Sequence, residues 1–169
     1  MNIKLKETKR WRVLWRVCSL PDIIERMFDD VIFEKMGRST RNMRLKIRGI
    51  VSNPGNHVFR VIFENKFAGC FVLFDLGGGD YEVHTLLKKE FHGLYAVRIG
   101  RYATAFGLNL PYVKKLISFC PNNMPETFLF AKMCGWKSLG ELPAKWIKNG
   151  VEYGVKGVWI RKEDFLCLS

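Results

Sequence analysis

Hydrophobic and polar positions along this chain switch between two periods. Ile23, Ile24, Met27, Phe28, Val31 and Ile32 recur at helical spacing behind Ser19-Leu20-Pro21-Asp22. Proline suits a first helical turn, so the pattern predicts an amphipathic helix over about 21–34. Asn53-Pro54-Gly55-Asn56 is a turn signal, and strand texture follows it. Three apolar runs, His57–Phe63, Phe67–Phe74 and Tyr81–Leu87, are separated by Asn65-Lys66 and by Asp75-Leu76-Gly77-Gly78-Gly79-Asp80. Runs of this length joined by short turns predict an antiparallel meander. From Gly93 to Gly107 the helical period returns, with Tyr95, Ile99, Tyr102 and Phe106 at i, i+4, i+7 and i+11. A strand is expected over Val113–Cys120. Pro125 then opens a helix that ends near Cys134, with Gly135 just past its C-cap. Residues 137–142 and 154–161 close the chain as strands linked by a Pro- and Gly-containing loop through Trp146. This order predicts an α+β (mixed α/β) fold, with a central, mostly antiparallel sheet and helices on both faces.

Length and composition narrow the picture. A chain of 169 residues with 48% hydrophobic content is expected to form one domain, residues 1–169, with a full core. That excludes a disordered basic arm. Within it, 1–56 reads as a basic opening region and 57–161 as the meander and the half that follows. No apolar run approaches the ~20 residues of a membrane span, and the basic N-terminus lacks the apolar stretch of a secretion signal. No membrane association is expected, and the cytoplasm is the expected location. Five scattered cysteines without a C-x-x-C pair predict neither a disulfide framework nor a metal site. Cys120 then reads as a small hydrophobe.

The formal charge is +12, from 28 Lys and Arg against 16 Asp and Glu. Twelve of those cations fall in two segments, Lys4–Arg16 and Lys35–Arg48. Such a local field attracts an anionic macromolecule, either DNA or an acidic protein surface. No recognition-helix, RNP-aromatic or zinc-module pattern is present, so phosphate contact fits better than base reading. Trp11 and Trp15, four residues apart among arginines, either stack on bases or pack on the sheet. Gly77-Gly78-Gly79 lies between two strands and is not followed by Gly-Lys-Ser/Thr, so it reads as a hairpin turn.

The chemistry-bearing candidates are Glu82 and His84. Strand residues two apart share a face, and a carboxylate beside an imidazole can move protons near neutral pH. The plainer alternative is a carboxylate paired with a neighbouring cation and a structural histidine.

Three pieces of the sequence, in order, resemble the GNAT (GCN5-related N-acetyltransferase) family. They are Tyr81-Glu82-Val83-His84-Thr85 followed by Lys88-Lys89-Glu90-Phe91-His92-Gly93, Leu116–Cys120 ending in Pro121-Asn122-Asn123, and Phe130-Ala131-Lys132-Met133-Cys134-Gly135-Trp136 with Leu139-Gly140 beyond. The resemblance covers about 57–161 and is especially to small phage-encoded acetyltransferase-like or head-assembly proteins. It implies acetyl-CoA as cofactor and acetyl transfer to an amine acceptor, with Glu82 and His84 catalytic. It places the cofactor's arm along Leu86 and Leu87, and its pyrophosphate at Lys88, Lys89, His92, Gly93, Leu94 and Tyr95, with Asn123 as a further contact. The chain departs from the pattern at three points, one being that Met124 stands where an asparagine is expected and Asn123 lies one residue short. Only Gly93 matches the glycines of the phosphate loop, and Ala131 stands where a tyrosine acid is usual. The resemblance therefore also implies an alternative, a non-catalytic phage structural or head-assembly protein that binds DNA or a virion component, found in the host cytoplasm or the virion.

Overall fold

The computed structural model describes residues 3–7, 53–148 and 150–166. The helix expected over 21–34, Trp11, Trp15 and the Lys35–Arg48 segment lie outside the described residues, as does most of Lys4–Arg16. Among the described residues there are seven strands, β1 Ile3–Glu7, β2 His57–Phe63, β3 Lys66–Gly77, β4 Asp80–Leu87, β5 Lys115–Pro121, β6 Lys137–Lys148 and β7 Val151–Arg161. The same residues hold three α-helices, α1 Leu94–Asn109, α2 Pro125–Met133 and α3 Lys162–Leu166, with a 3-10 turn at Lys89–Phe91. The hydrogen-bonding order is β1-β2-β3-β4-β5-β7-β6. β4 runs parallel to β5, while β1/β2, β2/β3, β5/β7 and β6/β7 are antiparallel. The mixed, mostly antiparallel α+β layout expected from the sequence is the one observed.

The described residues form two compact units, one of 3–7 and 53–74 with 85–92, the other of 75–84 with 93–148 and 150–166. In the first, Phe59, Val61, Phe63 and Leu73 of β2 and β3 are buried to within 1%. Phe59 meets Phe71 at 6.2 Å, and Phe63 meets Phe91 edge-on at 6.0 Å. Val58, Cys70 and Val72 form a second cluster with Phe67, Phe74 and Leu86. Both faces of β3 are thus apolar, which explains its unbroken buried run from Ala68 to Leu73. Register slips between Val61 and Ile62. Beside this bulge stands Gly69, where a Cβ would fall 2.0 Å from the Leu86 carbonyl oxygen. Only glycine admits that approach.

In the second unit, Leu116, Val158 and Ile160 are fully buried. The face that α1 buries is Ile99, Gly100, Ala103, Thr104, Gly107 and Leu108. This corrects the stripe read from the sequence: of its four members only Ile99 is buried, while Tyr95 and Tyr102 are 47% and 43% exposed. Small residues win the inward face because α2 packs close. A Cβ on Gly100 would come within 2.6 Å of both Cys134 Sγ and Phe130 Cζ. Trp136 Nε1–H donates to Thr104 Oγ1 at 3.0 Å inside this layer. Helix α2 ends as expected. Gly135 (φ 93°) follows the cap, and the amides of Gly135 and Trp136 donate to the carbonyls of Lys132 and Ala131.

The expected loop through Trp146 is not present. Strand β6 runs on to Lys148, Trp146 pairs with Tyr153, and the register jumps from Leu142↔Val155 to Lys145↔Gly154. The bulge takes up Pro143, which has no amide to give a ladder.

Candidate functional site

Strand β4 carries the candidate catalytic residues because the Gly78-Gly79 hairpin returns the chain in tight register. Gly77, Gly78 and Gly79 all adopt positive φ, and the Gly77 amide donates to Asp75 Oδ1 at 2.8 Å. The triple glycine is a hairpin turn, as its neighbours in sequence predict. Glu82 and His84 then project from one face, with Tyr81 and Val83 buried on the other. His84 Nε2 lies 2.9 Å from Glu82 Oε1. An ionised carboxylate only accepts, so Nε2 carries the proton and donates it, leaving Nδ1 as the ring's basic nitrogen. The His84 side chain is 44% exposed and that of Glu82 24%, so solvent or a substrate reaches the pair.

Beside this pair, β4 and β5 part. Their parallel ladder covers three positions and ends at Glu82↔Ile117. At the next step Ser118 Oγ–H donates to the Val83 carbonyl at 3.1 Å, a side chain standing in where a backbone amide would continue the ladder. The sequence held a signal for this, one hydroxyl inside the apolar Leu-Ile-Ser-Phe-Cys run.

In the first unit, the end of β4 is anchored. Gly69 admits the Leu86 carbonyl, and the Lys88 amide donates to Ala68 O at 2.9 Å. His92 Nε2–H donates to Leu87 O at 3.1 Å. Lys88 Nζ lies 5.4 Å from the Phe67 ring centre and 3.9 Å from Glu90 Oε1, and Lys89 is exposed.

In the second unit, Gly93 (φ 74°) is the N-cap of α1, with no side-chain cap and no acidic residue in the first turn. The first amides of a helix have no intrahelical acceptor and favour an anion. A Cβ on Gly93 would meet nothing within 4 Å, and Leu94 and Tyr95 are 79% and 47% exposed. Asn123 lies just before α2, and its Oδ1 is buried without a hydrogen-bond partner. A buried orphan acceptor is costly and calls for an outside donor. The uncapped helix start and this orphan both fit a ligand that offers anionic phosphate and amide or hydroxyl donors, which is the chemistry of coenzyme A.

Other candidates resolve as structural. Burial pushes the Cys120 thiol up, opposed by a hydrogen bond with Thr127, and burial pushes Cys134 up to about 12, opposed by Arg101. Neither is a nucleophile at neutral pH. Ala131 is buried in α2 and supplies no hydroxyl.

No protein-family model matches the sequence, and no curated protein does. Solved structures do match over nearly the whole chain. A chimera of the Vibrio cholerae spermidine N-acetyltransferase SpeG with hSSAT aligns at TM-score 0.76 and 15% identity, covering 99% of both chains. The fold is that of the GNAT acetyltransferases. The Vibrio cholerae spermidine N-acetyltransferase in complex with CoA and spermine aligns at TM-score 0.69 and 15% identity, over 97% of this chain and 98% of that one. The GNAT fold expected from the three sequence pieces is therefore the observed one. These likenesses lend no support to a virion role or to DNA as partner. Among the described residues no helix is long and apolar enough to cross a membrane.

Proposed function

We propose that this protein is an N-acetyltransferase that moves an acetyl group from acetyl-CoA to an amine. The observation that carries the reading is the Glu82–His84 pair at the point where β4 and β5 part, within a GNAT fold. Bound acetyl-CoA supplies an acyl thioester open to attack by an amine. Leu87 would offer main-chain groups to the cofactor's arm, its carbonyl held in place by the His92 ring, while the Leu86 carbonyl is turned to Gly69 and Leu86 would line the arm by its side chain. Gly93, Leu94 and Tyr95 present helix-start amides to phosphate, with Lys88 and Lys89 adding charge. Asn123 Oδ1 would accept a hydrogen bond from the cofactor. His84 Nδ1 takes the proton from the incoming ammonium, and Glu82 holds the ring in the tautomer this requires and stabilises the imidazolium. Position 131 is Ala and supplies no tyrosine acid, so His84 would pass its proton to the leaving thiolate while the second proton of the amine nitrogen leaves to solvent. The neighbour bound to CoA and spermine supports both the cofactor and the amine class. The basic segments Lys4–Arg16 and Lys35–Arg48 add a field that draws an anionic cofactor toward the chain.

Thermal melting tests this reading. A ligand that binds only the folded state at a hundred times its Kd stabilises by about 2.7 kcal/mol, so acetyl-CoA is expected to raise Tm by several degrees. An unchanged Tm at millimolar acetyl-CoA contradicts it and leaves the non-catalytic GNAT-fold alternative.

A further inference from the structure

Strand register in the second unit sets an apolar surface beside the Glu82–His84 pair, and that surface bears on which amine is accepted. Paired residues of neighbouring strands share a face. Glu82, Ile117, Trp159 and Lys137 therefore form one row across β4, β5, β7 and β6. Two residues further along β5, on the same face, stands Phe119, paired with Gly157. The reverse face is core: Leu116, Val158 and Ile160 are fully buried. Phe119, by contrast, is 41% exposed in mid-strand, and Leu139 is 49% exposed. Leu139 folds over Gly157, its Cδ1 lying 3.0 Å from where a Cβ there would stand. The result is a shelf of Phe119 and Leu139 two residues past the end of the β4–β5 ladder, where an acceptor held at His84 would rest its body.

Among the described residues, the carboxylates of this face are already engaged. Asp80 pairs with Lys115 and Asp164 with Lys137, and Glu82 accepts the hydrogen bond of the His84 ring. Lys137 and Arg161 also lie over the Trp159 ring at 5.3 and 5.0 Å. A polyamine needs carboxylates for its distal ammonium groups, and a protein of charge +12 repels a polycation at long range. Resting on the acetyltransferase reading above, we infer that the acceptor is a monoamine with an aromatic or branched aliphatic body seated on Phe119 and Leu139, and not a polyamine.

Calorimetric titration of the full chain with phenethylamine and with spermidine, without acetyl-CoA, tests this apart from catalysis. Phenethylamine is expected to bind at least ten-fold tighter than spermidine. Phe119→Ala is expected to weaken it about ten-fold, the factor conferred by burying on the order of 50 Å² of apolar surface, and Phe119→Leu to restore most of the binding. Equal or tighter binding of spermidine, or phenethylamine binding unchanged in Phe119→Ala, overturns the inference. If either occurs while acetyl-CoA still raises Tm, the acceptor class alone is wrong. If acetyl-CoA has no effect but phenethylamine binds through Phe119, the transferase reading is the one that fails.

Discussion

Strands β3 and β5 look alike as text and differ as structure. Phe-Ala-Gly-Cys-Phe-Val-Leu-Phe and Leu-Ile-Ser-Phe-Cys are both apolar runs, but Ala68–Leu73 is buried throughout, whereas Ile117, Ser118 and Phe119 stay accessible. The cause is what each strand faces. β3 has apolar clusters on both sides. β5 has core on one side, a ladder with β4 that ends after three positions, and a face that carries the site. Apolar content thus marks core in one unit and an exposed face beside the Glu82–His84 pair in the other.

Substitutions can break this comparison or sharpen it. The largest effect is expected at Gly69, where a methyl would overlap the Leu86 carbonyl. Gly69→Ala should destabilise by about 4 kcal/mol or prevent folding, read as the urea midpoint. Next comes the matched pair Phe71→Ala and Phe119→Ala. The first empties a site 1% exposed and should cost about 3–5 kcal/mol, while the second should stay within about 1 kcal/mol. Equal losses would erase the distinction between the strands. Ser118→Ala removes the hydroxyl that bridges to Val83 and should cost about 1 kcal/mol.

The smallest effect concerns Cys134, whose thiol is raised from 9.0 to about 12 by burial. The folded state keeps a proton that the unfolded chain releases, so this contribution is complete below pH 9 and is lost as pH rises from there toward 12. Between pH 8.5 and 10 the wild type should lose on the order of 1 kcal/mol more than Cys134→Ala, measured by urea unfolding at each pH.

Much of this was legible in the residues. Turn chemistry marked the meander, the Gly77–Gly79 hairpin and the Gly135 cap, because glycine and proline act locally. The shared face of Glu82 and His84 followed from the strand period alone. The inward face of α1 was not legible, because Gly100 and Ala103 are chosen by the closeness of α2, a tertiary fact, and the larger Tyr95 and Tyr102 dominate a hydrophobic pattern. The continuation of β6 past Pro143 was hidden because a bulge in an edge strand tolerates proline that a regular ladder refuses. The unmatched Asn123 oxygen belongs to the same class, since burial of one atom depends on packing that spacing does not encode.

On the proposed reading, Glu82 and His84 serve acetyl transfer and not merely the strand. Release of free CoA thiol, followed with acetyl-CoA and an amine for wild type, Glu82→Gln and His84→Gln, tests it most directly. Amine-dependent release by the wild type and a fall of about 10²-fold or more in kcat for both variants are expected, with the acetyl-CoA Tm shift and the urea midpoint retained. Wild-type release that both variants match would contradict it, as would no release from a wild type that acetyl-CoA does not stabilise.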